Sequence, residues 1–221
     1  MKHLLTMILC TALTGGLSAQ NYMSMHFSQN HAKFKYTDTK GYLDENMKSD
    51  MNYGYGVSYN RTFDNGLIVR PQLGFKGCGS RSTYNSQQVE WEMDYLDINV
   101  AAGYLYTEQT LKPYVGAGLY FSILLHAEQR MLGATYDIKN SKVIEKHDLG
   151  INLFTGMQYQ YSENAAAFIE MGYGLGLNQL ELNSETDSQQ KMNNRLFYLQ
   201  MGLHFSINKP KKGKKRHFNL Y

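Results

Sequence analysis

Cysteine is almost missing from this 221-residue chain: there are two, and Cys10 lies in an apolar leader, which leaves Cys78 alone. A single thiol excludes an internal disulfide and any cysteine-based metal site. No stretch approaches about 18 consecutive apolar residues, so a helical membrane span is excluded too. The seven histidines show no metal-ligand spacing, and neither a metal nor another cofactor is expected. Proline is scarce, at three residues, which favours unbroken strands. What the chain does have is 18 tyrosines, 10 phenylalanines and 20 glycines, the supply a barrel uses for aromatic girdles and strand bends.

Residues 1–19 read as a secretory signal. Lys2 and His3 precede an apolar core from Leu4 to Leu13, and Leu17-Ser18-Ala19 ends in the small residue a signal peptidase requires. The core is too short to cross ~30 Å of hydrocarbon as a helix, so an uncleaved anchor is disfavoured. Leu9 stands before Cys10 where a lipoprotein carries a small residue. Export makes nucleic acid an unsuitable partner. The expected organisation is therefore a signal peptide (1–19), a barrel (20–208) and a basic periplasmic tail (209–221). Lys209, Lys211, Lys212, Lys214, Lys215 and Arg216 concentrate positive charge in that tail, and no acidic residue follows Asp187. Such a run is either a solvated end or an attachment to lipid phosphates or an acidic partner.

Eight stretches alternate apolar with small or polar residues. In Met51–Phe63 the odd positions read Met, Tyr, Tyr, Val, Tyr, Arg, Phe and the even ones Asn, Gly, Gly, Ser, Asn, Thr. A strand turns successive side chains to opposite faces, so one face is greasy and the other small and polar. A soluble β-sandwich or lipocalin-like barrel would turn the greasy face inward; a membrane barrel turns it to lipid and packs the small face into its lumen. The expected fold class is all-β: an eight-stranded antiparallel up-and-down transmembrane β-barrel in the outer membrane, with both mature termini periplasmic. Tight turns fall at Asp64-Asn65-Gly66, Thr107–Thr110 and Ser162-Glu163-Asn164. They alternate with four longer connections, at Thr37–Asp50, Ser80–Gln88, Ala127–Lys146 and Asn183–Asn193. The third holds a weak alternation over Ala134–Ile138, so strands there project beyond the membrane.

Three irregularities are expected. Strand one begins at Tyr22 with Met23, Met25 and Phe27 outward, but Phe34 and Tyr36 are even-numbered, so the phase slips, which predicts either a bulge or the membrane rim near Gln29–Ala32. Strand four changes its apolar parity from Val89, Trp91 and Met93 to Leu96, Ile98 and Val100, which predicts a bulge at Asp94 or Tyr95. Pro71 lacks a ladder donor and predicts a bulge or local gap. Strand seven is expected to run from Ala165 to Leu182.

Several short segments carry a family resemblance. They are Tyr95-Leu96-Asp97-Ile98-Asn99-Val100, Lys112-Pro113-Tyr114-Val115-Gly116-Ala117-Gly118, His147-Asp148-Leu149-Gly150 and Gly172-Tyr173-Gly174-Leu175. In order and spacing they resemble the small outer-membrane β-barrel family of Bacteroidetes, including PorT-like proteins, over about residues 20–208. The resemblance implies an outer-membrane location and an eight-stranded barrel. It does not imply one activity; some PorT-like members assist a secretion system. Gln200, Gly202, Phe205 and Ile207 resemble the terminal-strand signal read by the barrel-insertion machinery, with Ile207 where an aromatic is usual.

Eight strands leave an interior that side chains just fill, so a diffusion porin is disfavoured. Inward-facing Arg70, Lys76, Asp97 and Glu170 are expected to form lumen ion pairs, because buried charges require partners. His26-Phe27-Ser28 and His204-Phe205-Ser206 place His and Ser on the same face of the first and last strands. A His activating a Ser is the core of acyl hydrolysis, and some small outer-membrane barrels deacylate lipid A. No acidic orienter is evident, so these are read as lumen lining and no catalytic residue is assigned. Tyr42, Tyr84 and Tyr136 lie in loops that can meet a partner. The expected role is non-enzymatic, a structural or accessory barrel in secretion or envelope assembly. The alternatives are a surface adhesin and a lipid A-modifying enzyme. The expected partners are outer-membrane lipid, the insertion machinery during assembly, and an envelope or secretion protein.

Overall fold

The computed structural model describes residues 19–37, 42–43, 46–84, 87–106, 110–141, 144–181 and 191–207. The strands are β1 (Ala19–Thr37), β2 (Lys48–Phe63), β3 (Leu67–Tyr84), β4 (Gln87–Leu105), β5 (Leu111–Met131), β6 (Ala134–Asp137), β7 (His147–Gln160), β8 (Ala165–Gly176) and β9 (Lys191–Ser206). Every pairing is antiparallel and joins chain neighbours, except β5 with β7, which passes over β6, and β1 with β9. β1 closes on β9 and β4 on β5, so eight strands form a ring, with β6 a flap on the overhang of β5. Closure leaves no sheet edge inside hydrocarbon, where unpaired backbone groups cannot be solvated.

The two faces are the inverse of a soluble barrel. Met25, Leu73, Val100, Val115, Leu153, Ile169 and Met201 are among the exposed apolar side chains of the wall, while Ser24, Asn30, Asn60, Asn99, Gln158 and Gln200 are buried inside. Two outward aromatic rows bound the greasy belt. Tyr104, Tyr106, Tyr159, Tyr161 and Phe205 lie near the tight turns, and Phe27, Tyr53, Phe75, Tyr173 and Phe197 lie toward the other end. From Phe205 to Phe197 the strand rises ~3.3 Å per residue, and a tilt of about 40° reduces that to roughly 20 Å of height. That height is close to the apolar band of outer-membrane barrels.

Inside, aromatic rings lie over glycines. Tyr114, Tyr120 and Phe154 stand directly across from Gly156, Gly150 and Gly116, and Phe168 and Tyr198 across from Gly202 and Gly172. A Cβ at any of these glycines would overlap the facing ring, so the lumen's glycines are space for its aromatics.

The chain's two ends differ. At one end lie the tight connections 64–66, where Gly66 has φ +85 and donates to Phe63 O at 2.9 Å, and 161–164; the expected turn at Thr107–Thr110 falls at the same end, with 107–109 outside the described residues. At the other end β5 and β6 form a projecting hairpin whose Leu132 and Gly133 both have positive φ, as a type I′ turn requires. This is the projecting strand pair expected over Ala134–Ile138. Beyond Pro71 the β3–β4 ladder runs unbroken, while on its other side no partners link Tyr59 and Asn60 to β3, which is the expected local gap.

Four sequence expectations are corrected. β1 has no bulge: Tyr22, Ser24, His26, Ser28, Asn30, Ala32 and Phe34 are all buried, so even positions face inward throughout, and of the two expected causes of the apolar slip only the membrane rim is left. β4 has no parity change either, since Val89 and Met93 are buried on the same face as Tyr95, Asp97 and Asn99. The extra residue sits opposite, on β5, where Asp94 faces His126 and Tyr95 faces Leu124, leaving Leu125 unpaired. The supposed polar loop Ser80–Gln88 is mostly ladder, paired up to Tyr84↔Gln87. It extends past the greasy belt, so its outward positions have no need to be apolar. β8 stops at Gly176, because the Asn178 side chain takes over the ladder by accepting from Leu149 N (2.7 Å) and donating to His147 O (2.7 Å). The segment expected to be a signal peptide, through Ser18, and Leu182 and the basic tail lie outside the described residues.

The first two corrections share one cause. Phe34, Cys78, Met93, Tyr95, Leu124, Ala127, Ile144, Leu180 and Met192 form an apolar cluster inside the hairpin end, with Phe34 edge-on to Trp91 (6.4 Å). Accordingly, Met93→Cys is expected to resist a water-soluble maleimide in the folded protein while Asp94→Cys reacts. The reverse pattern would reinstate a parity change on β4.

Candidate functional site

The lumen is built in tiers. In the tier nearer the tight turns, Arg70 of β3 reaches across to Glu170 of β8. Nη1 donates to Oε2 at 2.6 Å and Nη2 to Oε1 at 3.0 Å, a two-pronged contact between side chains that are 9% and 1% exposed. The guanidinium also lies over the Phe154 ring (4.4 Å), and Tyr198 OH donates to Glu170 Oε1 at 3.3 Å. The planar fork of Arg matches a carboxylate in this way where a lysine could not.

Farther up, Lys76 of β3 meets Asp97 of β4 at 2.8 Å and donates to Ser122 Oγ at 2.7 Å, while Ser122 donates to the same carboxylate at 2.5 Å. The Lys76 ammonium sits 4.0 Å from the Tyr120 ring centre. The four charges read from sequence are thus brought together as two pairs, each with a neutral donor completing it. His26, Asn30, Gln72, Asn99, Asn152 and Gln200 line a cavity of about 60 Å3 beside these tiers, room for a few ordered waters.

A third tier was not read from sequence. Asp148 is fully buried, and its Oδ2 accepts from Asn194 Nδ2 (3.1 Å) and Tyr120 OH (3.3 Å). Asn194 Nδ2 also lies 3.3 Å from the buried Cys78 thiol. His147-Asp148 had been visible only as a family-like segment, because a lone inward Asp has no partner in local sequence. Among the described residues no group of three His, Cys, Asp or Glu side chains is placed to hold a metal.

The His–Ser repeats are not brought together as written. His26 Nε2 lies 3.1 Å from Gln72 Nε2, and Ser28 lines the cavity. The serine that meets His204 is Ser24, its direct partner across β1 and β9, with Oγ 2.5 Å from Nδ1. Asn60 donates to Ser24 Oγ at 2.7 Å, and Phe168 stacks on the imidazole at 4.4 Å. Among the described residues no carboxylate contacts His204. Counting back from the tight-turn end of the closed β1–β9 pair would have found Ser24. Of the insertion-signal residues, Gln200 and Gly202 face the lumen and Phe205 and Ile207 face outward. On the outer wall, Lys33 and Lys35 of β1 and Arg195 of β9 face outward at the hairpin end.

The family model described as outer membrane protein beta-barrel domain matches residues 11–182. The chain belongs to that family. It is accordingly an integral outer-membrane protein, and the unpartnered greasy belt is its lipid-facing wall. Among solved structures it is similar to OprG of Pseudomonas aeruginosa, at 11% identity and TM-score 0.54, covering 88% of this chain and 99% of that one. It is also similar to neisserial surface protein A, at 16% identity and TM-score 0.48, covering 84% and 97%. The attachment invasion locus protein Ail of Yersinia pestis aligns at 13% identity and TM-score 0.46, covering 86% and 100%. At such identities OprG speaks to the barrel fold alone. No curated protein matches the chain.

Proposed function

We propose that this is a closed, non-enzymatic accessory barrel, with the tight turns and both termini in the periplasm and the hairpin end at the cell surface. The observation that carries the reading is the lumen. Arg70–Glu170 spans it at one level, Lys76–Asp97 fills a second, and the apolar cluster around Phe34 and Met93 caps it. A barrel filled this way has no path for solute, and its work falls to its ends. Short turns at one end and longer connections at the other follow the usual periplasmic and surface sides of such barrels. The PorT-like resemblance of the segments around Tyr95 and Lys112 supports a secretion or envelope-assembly role by analogy. The basic tail is the natural contact with a periplasmic partner.

A second reading, a surface adhesin, draws on the β5–β6 hairpin, whose Leu132 and Tyr136 stand 67% and 49% exposed. Crosslinking in native outer membranes separates the two. Partners lost on deleting residues 209–221 support the accessory role; partners lost on replacing residues 132–137 support the adhesin. In planar bilayers the purified barrel is expected to give no conductance steps. Regular steps would overturn the closed-lumen reading. Loss of an acyl chain from lipid A on expression, abolished by His204→Ala in a folded protein, would overturn the non-enzymatic one.

A further inference from the structure

The outer wall at the hairpin end carries charge where a lipid-facing wall should not. Lys33 and Arg195 are direct partners across β1 and β9, and Lys35 is the next outward residue of β1. Both lysines are exposed and Arg195 is half-buried. Directly below them, in the same outward rows, come His31 and Phe197, with rings 6.3 Å apart, then Gln29 and Leu199, with Gln29 held by Met51 and His31, and then Phe27 and Met201 of the greasy belt. Tyr173 of β8 lies alongside Phe197. Cations on the wall of a membrane barrel are costly in hydrocarbon and tolerated at the headgroup level, so the aromatic row fixes these three beside the headgroups.

Among the described residues their charge is uncompensated. The other arginines at this end are each held by two carboxylates: Arg81 by Asp50 and Glu90, and Arg130 by Glu92 and Glu128. Among the described residues no carboxylate lies within ion-pair distance of Lys33, Lys35 or Arg195. Arg195 donates from Nη1 to the Gly176 carbonyl at 3.3 Å, which anchors one side of the guanidinium. The three side chains border an open groove of about 430 Å3, floored by Tyr173 and Phe197 and overlooked by Leu43, which is bridged back onto Thr37.

We propose that this groove binds the phosphate of a glycolipid headgroup in the outer leaflet, a phosphorylated lipid A. A tetrahedral anion accepts from a guanidinium and two ammonium groups at once, and the aromatic floor packs against the sugar and the first methylenes below it. A zwitterionic phospholipid carries its own cation and competes poorly for the same groups. The choice of leaflet rests on the orientation proposed above, but binding itself does not.

The test uses the full-length protein in neutral-detergent micelles, where retained lipid is read by native mass spectrometry and orientation plays no part. The probes are bisphosphorylated lipid A, enzymatically dephosphorylated lipid A, phosphatidylglycerol and inorganic phosphate as competitor. Bisphosphorylated lipid A is expected to be retained. The variant K33Q/K35Q/R195Q should hold it roughly 100-fold more weakly, at about one order of magnitude or less per cation near an anionic surface. Arg81→Gln, whose cation is already paired, should leave binding unchanged. Equal retention of dephosphorylated lipid A or of phosphatidylglycerol would overturn the proposal. So would displacement by millimolar phosphate alone, which would mean a free-anion site, or wild-type binding by the triple variant. Should that variant fail to fold, the dephosphorylated probe on the unaltered protein still decides. Labelling of Leu132→Cys in intact cells tests orientation separately.

Discussion

Arg70→Ala is expected to destabilise the folded barrel by about 3–5 kcal/mol, the cost of leaving a buried charge without its partner. Glu170 is 1% exposed, and without the guanidinium its carboxylate keeps the 3.3 Å hydrogen bond from Tyr198 and the neighbouring Tyr114 hydroxyl, neither of which carries charge. The loss includes the stacking of Arg70 on Phe154, so it is a packing effect as well as an electrostatic one. Replacing both partners separates the two. Arg70→Met with Glu170→Leu fills similar volume with no charge to satisfy, and such swaps are often neutral or stabilising. The double variant should therefore recover most of what the single one loses. The measurement is urea unfolding in lipid vesicles, with the mobility difference between unheated and boiled samples reporting the folded fraction. A single-variant loss below about 1 kcal/mol would mean that water already solvates Glu170, because exposed pairs contribute only that much. That result would also remove the main support for a sealed lumen.

This prediction begins in the sequence, because Arg70 and Glu170 sit at inward positions of strands whose outward rows are plainly greasy. The barrel was legible for the same reason: within the bilayer, apolar means outward, and Leu73, Val100, Leu153 and Met201 obey that rule. Above the bilayer the rule reverses. There the wall faces water and the interior is filled by Phe34, Met93, Leu124 and Met192. An inward Phe34 then imitates an outward one. This reversal at the membrane rim accounts for the change of apolar parity in both β1 and β4. The β4–β5 ladder does shift register beside Asp94 and Tyr95, but that its extra residue is Leu125 of β5 leaves little trace in local pattern, since Leu124 and Leu125 are identical residues on opposite faces. Ser24 and Asp148 were missed differently. Their partners, His204 and Asn194, lie far along the chain, and only the register of the closed ring brings them together.

The sharpest separation of lipid from water on this wall comes from one substitution at two leucines of similar exposure. Leu153 is 54% exposed midway along β7, and Leu132 is 67% exposed at the hairpin tip. By accessible area alone they are equivalent, and Arg would be harmless at either. Leu153 stands between Tyr173 of β8 and Ala117 of β5, inside the belt bounded by the aromatic rows. Leu153→Arg should therefore cost about 2–4 kcal/mol, the depth-dependent penalty for a cation near the bilayer midplane. Leu132→Arg should change stability by less than about 0.5 kcal/mol, as surface changes usually do, since the tip has water around it. Both are read by unfolding in the same vesicles. Equal and small effects would mean that the greasy belt faces something other than lipid. Equal and large effects would mean that the hairpin tip is itself embedded, which would end both the adhesin reading and the assignment of Lys33, Lys35 and Arg195 to the headgroup level. The expected difference between the two sites, about 2 kcal/mol or more, lies well above the scatter of surface substitutions and so locates the membrane on the barrel without reference to any relative.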